Sequence, residues 1–276
     1  MPSFETPGRV GLRLDVPSGE VTVKTWDEPR VDVEVTAARS DEASRQAAAE
    51  TRVEATDRGG RHEVTVRVPK REGRFGISWG RGPELDVVIH CPEGADLELA
   101  THSADLEARG PLGEVDVRSA SGDVAVLATE SLTCTTASGD LRAGPVAGSL
   151  SAKSASGDID VEVCGGQGSA STVSGDVRLG RAGGAVALST VSGDVDLELA
   201  EAAVRVNAVS GDVAVAMRPG LLLWLDVQSV SGSVTSSLDV GEAPEDGTEQ
   251  VELRVRTVSG DVRISTAHAA SVRHDR

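Results

Sequence analysis

The stretch VALSTVSGDVDL, residues 186–197, contains the unit that repeats along the chain. Its Ser-Gly-Asp tripeptide occurs seven times, and the first six copies are spaced 17 or 18 residues apart. The copies begin at Ser121, Ser138, Ser156, Ser174, Ser192, Ser210 and Ser259. Degenerate copies begin at Ser103 and Ser231, and an early copy begins at Ser18. A fixed short period of this kind is the sequence signature of a solenoid.

Apolar residues hold fixed offsets around the tripeptide and indicate strands. In the copy at Ser192 these residues are Val186, Leu188, Val191, Val195 and Leu197. A spacing of two is the period of a strand with one buried face, and the step of three before the third position predicts a bend there. Eighteen extended residues at about 3.3 Å each span about 60 Å, enough for one turn of a narrow tube whose next turn lies about 4.8 Å away. The sequence therefore predicts an all-β protein, a parallel β-solenoid.

The same offsets predict what fills the tube and how it coils. Val177, Val195 and Val213 occupy one offset, so we expect them to stack in one interior column. An aromatic content of 2% suits a narrow interior, in which stacked rings would be too wide. Right-handed coiling is the rule for parallel crossovers. A left-handed helix also uses 18 residues per turn and stays open as an alternative, although it would place apolar residues every six positions.

The repeats divide the chain into four predicted segments, and the second of these contains a helix. An Ala-rich stretch from Asp41 to Arg52 predicts a helix with Ser40 as its N-cap. We expect this helix to cap one end of the tube, since a solenoid needs a terminus that hides its open edge. Two stretches interrupt the repeats, the apolar Met217–Leu225 and the acidic Asp239–Glu249. The predicted segments are a first coil at 8–28, an insertion or cap with one helix at 29–84, a repeat array at 85–266 and a frayed tail at 267–276.

Charge and cysteine usage restrict the partners and the compartment. With 44 acidic and 27 basic residues the net charge is −17, which opposes the phosphate backbone of nucleic acids. The sequence contains no export signal and no run of about 18 apolar residues that would span a membrane. Cys91, Cys134 and Cys164 are odd in number and widely spaced, which predicts neither a disulfide framework nor a zinc site. We expect a cytoplasmic protein with reduced thiols.

The repeated V-S-G-D-V and A-S-G-D-[VIL] units carry a family resemblance. Together with LDVPSGEVTV at residues 14–23 and the strand ending at Val88–Pro92, they resemble the bacterial Toastrack family of β-strand-repeat domains of unknown function, often labelled adhesins. The likeness covers residues 8–266. It implies a β-helical fold, no assigned catalytic residues, and relatives that are often tied to membrane anchors or to envelope-stress genes.

The aspartates of the repeat form the strongest candidate column. These residues are Asp123, Asp140, Asp158, Asp176, Asp194, Asp212 and Asp261. The interpretation we favour is structural, because Gly permits a bend while Ser and Asp satisfy local backbone groups. The alternative is calcium binding, although one column of carboxylates supplies fewer than the six to eight oxygens that calcium takes. No cofactor and no metal are expected.

A second candidate lies in the apolar stretch. If Leu221, Leu223 and Leu225 keep the inward parity, Leu222 and Trp224 point outward and can anchor a protein partner. They are covered either by the chain itself or by a second molecule, which includes a homo-oligomer. We predict a non-catalytic scaffold or interaction module with an unknown protein partner. The family resemblance links this module to envelope-stress systems. The alternatives are an adhesin-like or calcium-binding surface module and, less favoured, a glycan-active β-helix enzyme.

Overall fold

The computed structural model describes residues 2–57, 59–69, 82–238 and 250–267. The chain divides into two compact units, residues 1–146 and 147–276. The protein is a right-handed parallel β-solenoid with a small insertion near its N-terminus, and the predicted fold class is confirmed. The acidic stretch Asp239–Glu249 and the predicted tail from residue 268 onward lie outside the described residues.

The first unit contains nine strands and one helix among its described residues. In chain order they are β1 Ser3–Glu5, β2 Arg9–Trp26, β3 Arg30–Ala37, α1 Glu42–Glu50, β4 Arg52–Asp57, β5 Arg61–Arg67, β6 Leu85–Pro92, β7 Asp96–Arg118, β8 Val124–Thr135 and β9 Leu141–Val146.

The coil formed by β2 lies inside the first unit. It pairs in parallel with β7 along one edge, and with β5 and then β6 along the other. From β7 the parallel stack continues through β8 to β9. On the far side of β5 and β6, the strands β4 and β3 pair antiparallel to them. The segment that was predicted as an insertion thus supplies β5 to a coil and also covers the outer edge of that coil.

The helix is shorter than predicted and has a different N-cap. Asp41 occupies the N-cap position, and its carboxylate accepts a hydrogen bond of 2.7 Å from the backbone N–H of Ser44. This bond lowers the pKa of Asp41. A carboxylate is favoured here because it satisfies an unpaired N–H group and interacts well with the positive end of the helix. The helix buries Ser44 and Ala47 and packs against β3.

The second unit contains twelve strands among its described residues, all paired in parallel. They are β10 Leu150–Lys153, β11 Ile159–Cys164, β12 Gly168–Ser171, β13 Val177–Ala182, β14 Val186–Ser192, β15 Val195–Ala200, β16 Val204–Ser210, β17 Val213–Met217, β18 Leu222–Ser231, β19 Val234–Ser237, β20 Gln250–Ser259 and β21 Val262–Thr266.

The interior of the second unit is built from columns of small aliphatic side chains. Val177, Val195 and Val213 are paired in parallel register and are each about 1% exposed, which confirms the predicted column. The register places Val262 next in the same column. Burying each such side chain stabilises the fold by about 1.5–3 kcal/mol relative to leaving it exposed.

The last coils of the second unit do not stack in chain order. Both β16 and β18 pair with β20, and both β17 and β19 pair with β21. Ser210 therefore lies beside Ser259, and Ser231 lies on the other side of Ser259. The coil of β20 and β21 is inserted between two coils that precede it in the sequence.

The bend predicted between Leu188 and Val191 is wrong. The strand β14 continues unbroken to Ser192, and the corner follows at Gly193. The third inward residue is Thr190, which is buried, whereas Val191 is 45% exposed. Thr190 can face inward because its hydroxyl donates a hydrogen bond of 3.2 Å to the carbonyl oxygen of Gly175 one coil away.

The close approach of coils at the glycine corners gives a testable prediction. A Cβ atom at Gly193 would lie 2.0 Å from the carbonyl oxygen of Gly175, so Gly193→Ala forces neighbouring coils apart. We expect a loss of about 3 kcal/mol in the free energy of unfolding, measured by urea denaturation. Gly220→Ala is the matched control: its φ is +83° but nothing lies within 4 Å of the added Cβ, so the loss is about 1 kcal/mol. Equal losses in the two variants would contradict the close-packing argument.

Candidate functional site

Several corners of the repeat are held by a serine or threonine that sequence reasoning missed. This residue stands two positions before the serine of the tripeptide, and its side-chain oxygen accepts the backbone N–H of the corner glycine. Examples are Ser119 with Gly122 at 2.8 Å, Thr136 with Gly139 at 3.0 Å and Ser154 with Gly157 at 2.7 Å. The signal was present in the sequence, since every copy from Ser121 to Ser259 except that at Ser210 has Ser or Thr there.

The aspartates that follow the glycines form a ladder through the backbone, here called the aspartate ladder. Oδ1 of Asp194 accepts the N–H of Asp212 at 2.8 Å, and Oδ1 of Asp212 accepts the N–H of Asp261 at 2.9 Å. The other bonds of this kind in the second unit join Asp158 to Asp176, Asp176 to Asp194, and Asp261 to Ser233. In the first unit they join Asp105 to Asp123 and Asp123 to Asp140. Each of these carboxylates therefore holds the corner of a neighbouring coil.

The ladder is electrostatically tolerable although its members carry the same charge. Two carboxylates about 4.8 Å apart repel by about 0.9 kcal/mol in water before screening, and the hydrogen bond from the next N–H offsets part of this cost. At Asp261 the N–H of Ser233 lowers the pKa of the carboxyl group. Arg178 lies 2.7 Å from Asp176, an exposed ion pair that contributes about 0–1 kcal/mol.

All seven aspartates of the predicted column occupy corner positions. Asp123 and Asp140 lie in the first unit; Asp158, Asp176, Asp194, Asp212 and Asp261 lie in the second. Within the described residues, no group of three or more His, Cys, Asp or Glu side chains is arranged to hold a metal ion. Calcium binding by the column stays an untested alternative to the structural role.

Beside the aspartate ladder runs an exposed column of valines, here called the valine ladder. Each member directly precedes the serine of a tripeptide, and the sequence analysis had grouped this position with the core. In stacking order the members are Val173, Val191, Val209, Val258 and Val230. The first four are 45–49% exposed, and Val230 in the outermost coil is 81% exposed. At about 4.8 Å per coil the ladder is about 19 Å long.

Leu222 and Trp224 lie on the outer face of β18. Their neighbours Leu223 and Leu225 pair with inward positions of β20, and Leu222 and Trp224 are 37% and 45% exposed. The guanidinium carbon of Arg254 lies 5.8 Å from the centre of the Trp224 ring, a cation–π contact. The tryptophan is thus partly covered on one face and open elsewhere.

Two surface hollows contain the remaining clusters of polar side chains. In the first unit a hollow of about 320 Å³ is lined by ion pairs, with Arg61 3.0 Å from the nearly buried Asp96 and Arg13 2.8 Å from Glu98. In the second unit a hollow of about 520 Å³ has mostly small residues in its wall, including Ser149, Gly168 and Ala187, together with Arg205 and Glu252. Asp96 and Glu98 are thus paired with arginines, as in a structural ion-pair network.

The three cysteines are free thiols, and all are buried. Burial raises the pKa of Cys91 to about 12 and that of Cys134 to about 12, and it also raises the pKa of Cys164. The thiolate is the reactive form of cysteine, so these side chains are inert core residues at neutral pH.

Comparisons with known proteins identify similar sequences and structures. The family model described as Toastrack DUF4097 matches residues 11–265. No curated protein matches the chain. One similar solved structure is a "putative cell adhesion protein" from Clostridium sporogenes ATCC 15579, with 10% identity, a TM-score of 0.25, and coverage of 95% of this chain and 94% of that chain. Another is a "putative adhesin" from Bacteroides fragilis NCTC 9343, with 9% identity, a TM-score of 0.34, and coverage of 95% of each chain. In the part of the chain that the structure describes, no helix is long and apolar enough to cross a membrane.

The aspartate ladder predicts different effects for two substitutions of one residue. Asp194→Ala removes the acceptor for the N–H of Asp212, so we expect a loss of about 1 kcal/mol in stability and faster hydrogen exchange at the Asp212 amide. Asp194→Asn is the control, because its side-chain carbonyl oxygen can accept the same bond, and it should change stability by less than about 0.5 kcal/mol. Unchanged exchange at Asp212 in the alanine variant would show that the bond does not hold the corner.

The buried thiols predict a loss of stability at alkaline pH. An unfolded cysteine ionises near its ordinary pKa of about 8.5, whereas Cys91 and Cys134 stay protonated in the folded protein up to about pH 12. The unfolded state then binds fewer protons, so the free energy of unfolding falls as pH rises through this window. Urea denaturation at a series of pH values measures the slope, and Cys91→Ala should make it shallower. If the slope is the same in the wild type and in the variant, the buried Cys91 thiol does not cause the pH dependence.

Proposed function

The chain belongs to the Toastrack family, and on that premise we propose that it is a non-catalytic module that binds a protein partner along the outside of its β-solenoid. The observation that carries the proposal is the valine ladder. Four consecutive coils expose nearly half of a valine side chain at the same position, and a fifth exposes most of one. A continuous apolar stripe on a protein surface marks an interaction site more often than scattered apolar residues do.

The side chains beside the stripe indicate the chemistry of the partner. The aspartate ladder runs parallel to the valines, three residues further along each coil, and places a carboxylate at four of the five steps; the coil of Val230 has Ser233 there. A complementary surface has apolar side chains at its centre and lysine or arginine along one side. Apolar contact supplies most of the binding energy in such an arrangement, while the charges increase the association rate and the specificity.

We also propose that the protein is located in the cytoplasm, a reducing compartment. Its support is that three buried thiols have raised pKa values and are unpaired. The adhesin-like, calcium-binding and glycan-active alternatives stay predictions, as does the absence of nucleic-acid binding.

Substitution of the valine ladder tests the proposed function. The triple variant Val173→Thr, Val191→Thr and Val209→Thr keeps β-branched side chains, and so the strand preference, while it replaces a methyl with a hydroxyl at three steps. We expect partners captured from native cell extract by the wild-type chain to bind the variant about 100-fold more weakly, since each valine contributes about 1 kcal/mol. Affinity is measured with the purified partner by calorimetry, and added salt should weaken it.

Leu127→Asn is the matched control for this experiment. Leu127 is also exposed, at 62%, but lies outside the ladder. The proposal requires that the control keeps the affinity of the wild type. It fails if the triple variant, with an unchanged unfolding midpoint, binds every captured partner as tightly as the wild type does.

A further inference from the structure

The outermost coil of the second unit, formed by β18 and β19, has an open edge. One edge of β18 pairs with β20 and one edge of β19 pairs with β21. Among the residues the structure describes, no strand pairs with the opposite edges. The unpaired N–H and C=O groups of an edge strand can pair with another chain, and natural proteins usually protect such edges with charges, proline or a covering segment.

A comparison of equivalent residues in adjacent coils shows that apolar core positions are open at this edge. Leu225 is 41% exposed, whereas its neighbour Leu253 is 0% exposed; Val234 is 49% exposed, whereas its neighbour Val262 is 1% exposed. Both residues of the outer coil face inward and lack a covering residue on one side. The end of this coil therefore presents the same kind of surface as the contact between two stacked coils, and another pair of strands can pack onto it.

This coil carries little charge. Residues 222–238 contain a single charged residue, Asp226, although 26% of the whole chain is charged. Arg254 lies 3.1 Å from Asp226 and Arg256 lies 3.7 Å from it, so this charge is compensated. A second copy of the chain brings a net charge of −17 and meets the least repulsion where the surface has almost no charge.

We infer that two copies of the chain dimerise end to end, with β18 of one copy pairing antiparallel to β18 of the other about a twofold axis at Val227. A twofold contact must match the same surface to itself. In this register Trp224 lies opposite Val230 of the second copy, and Asp226 lies opposite Gln228. Val230, which is 81% exposed, is covered by the exposed tryptophan, and the carboxylate faces an amide donor.

The neighbouring register centred on Asp226 is less favourable. A shift of the axis by one residue, to Asp226, places the two Asp226 carboxylates opposite each other, which is destabilising. Residues that lie opposite each other in an antiparallel pair point to the same face of the sheet. Leu225 and Val227 therefore stay directed inward only in registers in which the numbers of two opposed residues add up to an even number.

The available area is sufficient for a specific dimer. The ten residues of β18 extend about 33 Å, and two sheets about 10 Å apart with their outer side chains give a width of about 20 Å. The contact would bury about 650 Å² on each copy and about 1,300 Å² in total, within the range of stable interfaces.

Sedimentation equilibrium of the full chain at micromolar concentration tests the dimer. We expect a mass of twice 28.4 kDa for the wild type. Val230→Asp should raise the dissociation constant by about 100-fold, because it places a carboxylate against Trp224 of the second copy. Val258→Asp is the matched control: it changes the same ladder one coil inward, where β20 is already paired on both edges, and should leave the dimer intact.

Cross-linking tests the register. In a Val227→Cys variant, the two introduced cysteines of the dimer lie directly opposite each other across the twofold axis, at the separation of opposed residues in an antiparallel pair. The oxidant diamide should therefore join them in an intermolecular disulfide. A cysteine introduced by Leu225→Cys should not form one. A monomeric wild type overturns the inference, including the case in which residues 239–249 cover the coil. Equal dissociation constants for the two aspartate variants, or equal cross-linking of the two cysteine variants, also overturn it. None of these outcomes depends on binding by Val173, Val191 and Val209.

Discussion

The structure depends on the contact between a glycine in one coil and a backbone carbonyl in the adjacent coil. A Cβ atom at Gly211 would lie 1.9 Å from the carbonyl oxygen of Gly193, and one at Gly260 would lie 2.0 Å from that of Gly211. No side chain fits at these two positions, so glycine there lets the coils of the second unit approach to the spacing of paired strands. The contact recurs at Gly175, Gly193, Gly211 and Gly260, where the carbonyl belongs to the corner glycine of the adjacent coil.

The fixed spacing at the glycines determines the chemistry of the surface. Once the corners are superposed, the next residue, Asp, lies within hydrogen-bonding distance of the following backbone N–H, and the carboxylates form a ladder. The residue two positions before glycine faces outward at the same height in every coil, and in five coils of the second unit it is valine. One steric requirement in the interior thus produces an acidic column and an apolar column side by side on the outside. Regular columns of this kind can bind an extended partner without a pocket.

The order of the coils shows which contacts the folded chain prefers where the motif is ambiguous. By motif alone, the coil at Ser210 could stack on the coil at Ser231 or on that at Ser259. The coil of β20 and β21 takes the inner place, and its inward residues Leu253 and Ile264 are buried. The coil of β18 and β19 has Ser236 where β21 has Ile264. Burying the coil with the more apolar inward residues on both sides removes more apolar surface from water than burying the coil with Ser236 would.

The sequence by itself determined the parallel solenoid, the 18-residue coil, the interior column of Val177, Val195 and Val213 and the corner position of the aspartates. These features follow from strand geometry and from a period that can be counted along the chain. Only the tertiary structure decided that Thr190 faces inward while Val191 faces outward, and that β20 lies between β16 and β18. The hydroxyl of Thr190 is satisfied by a carbonyl 15 residues away in another coil. The position of β20 depends on which of two similar coils buries more apolar surface. Both outcomes depend on contacts between coils, and a period along one chain does not specify those contacts.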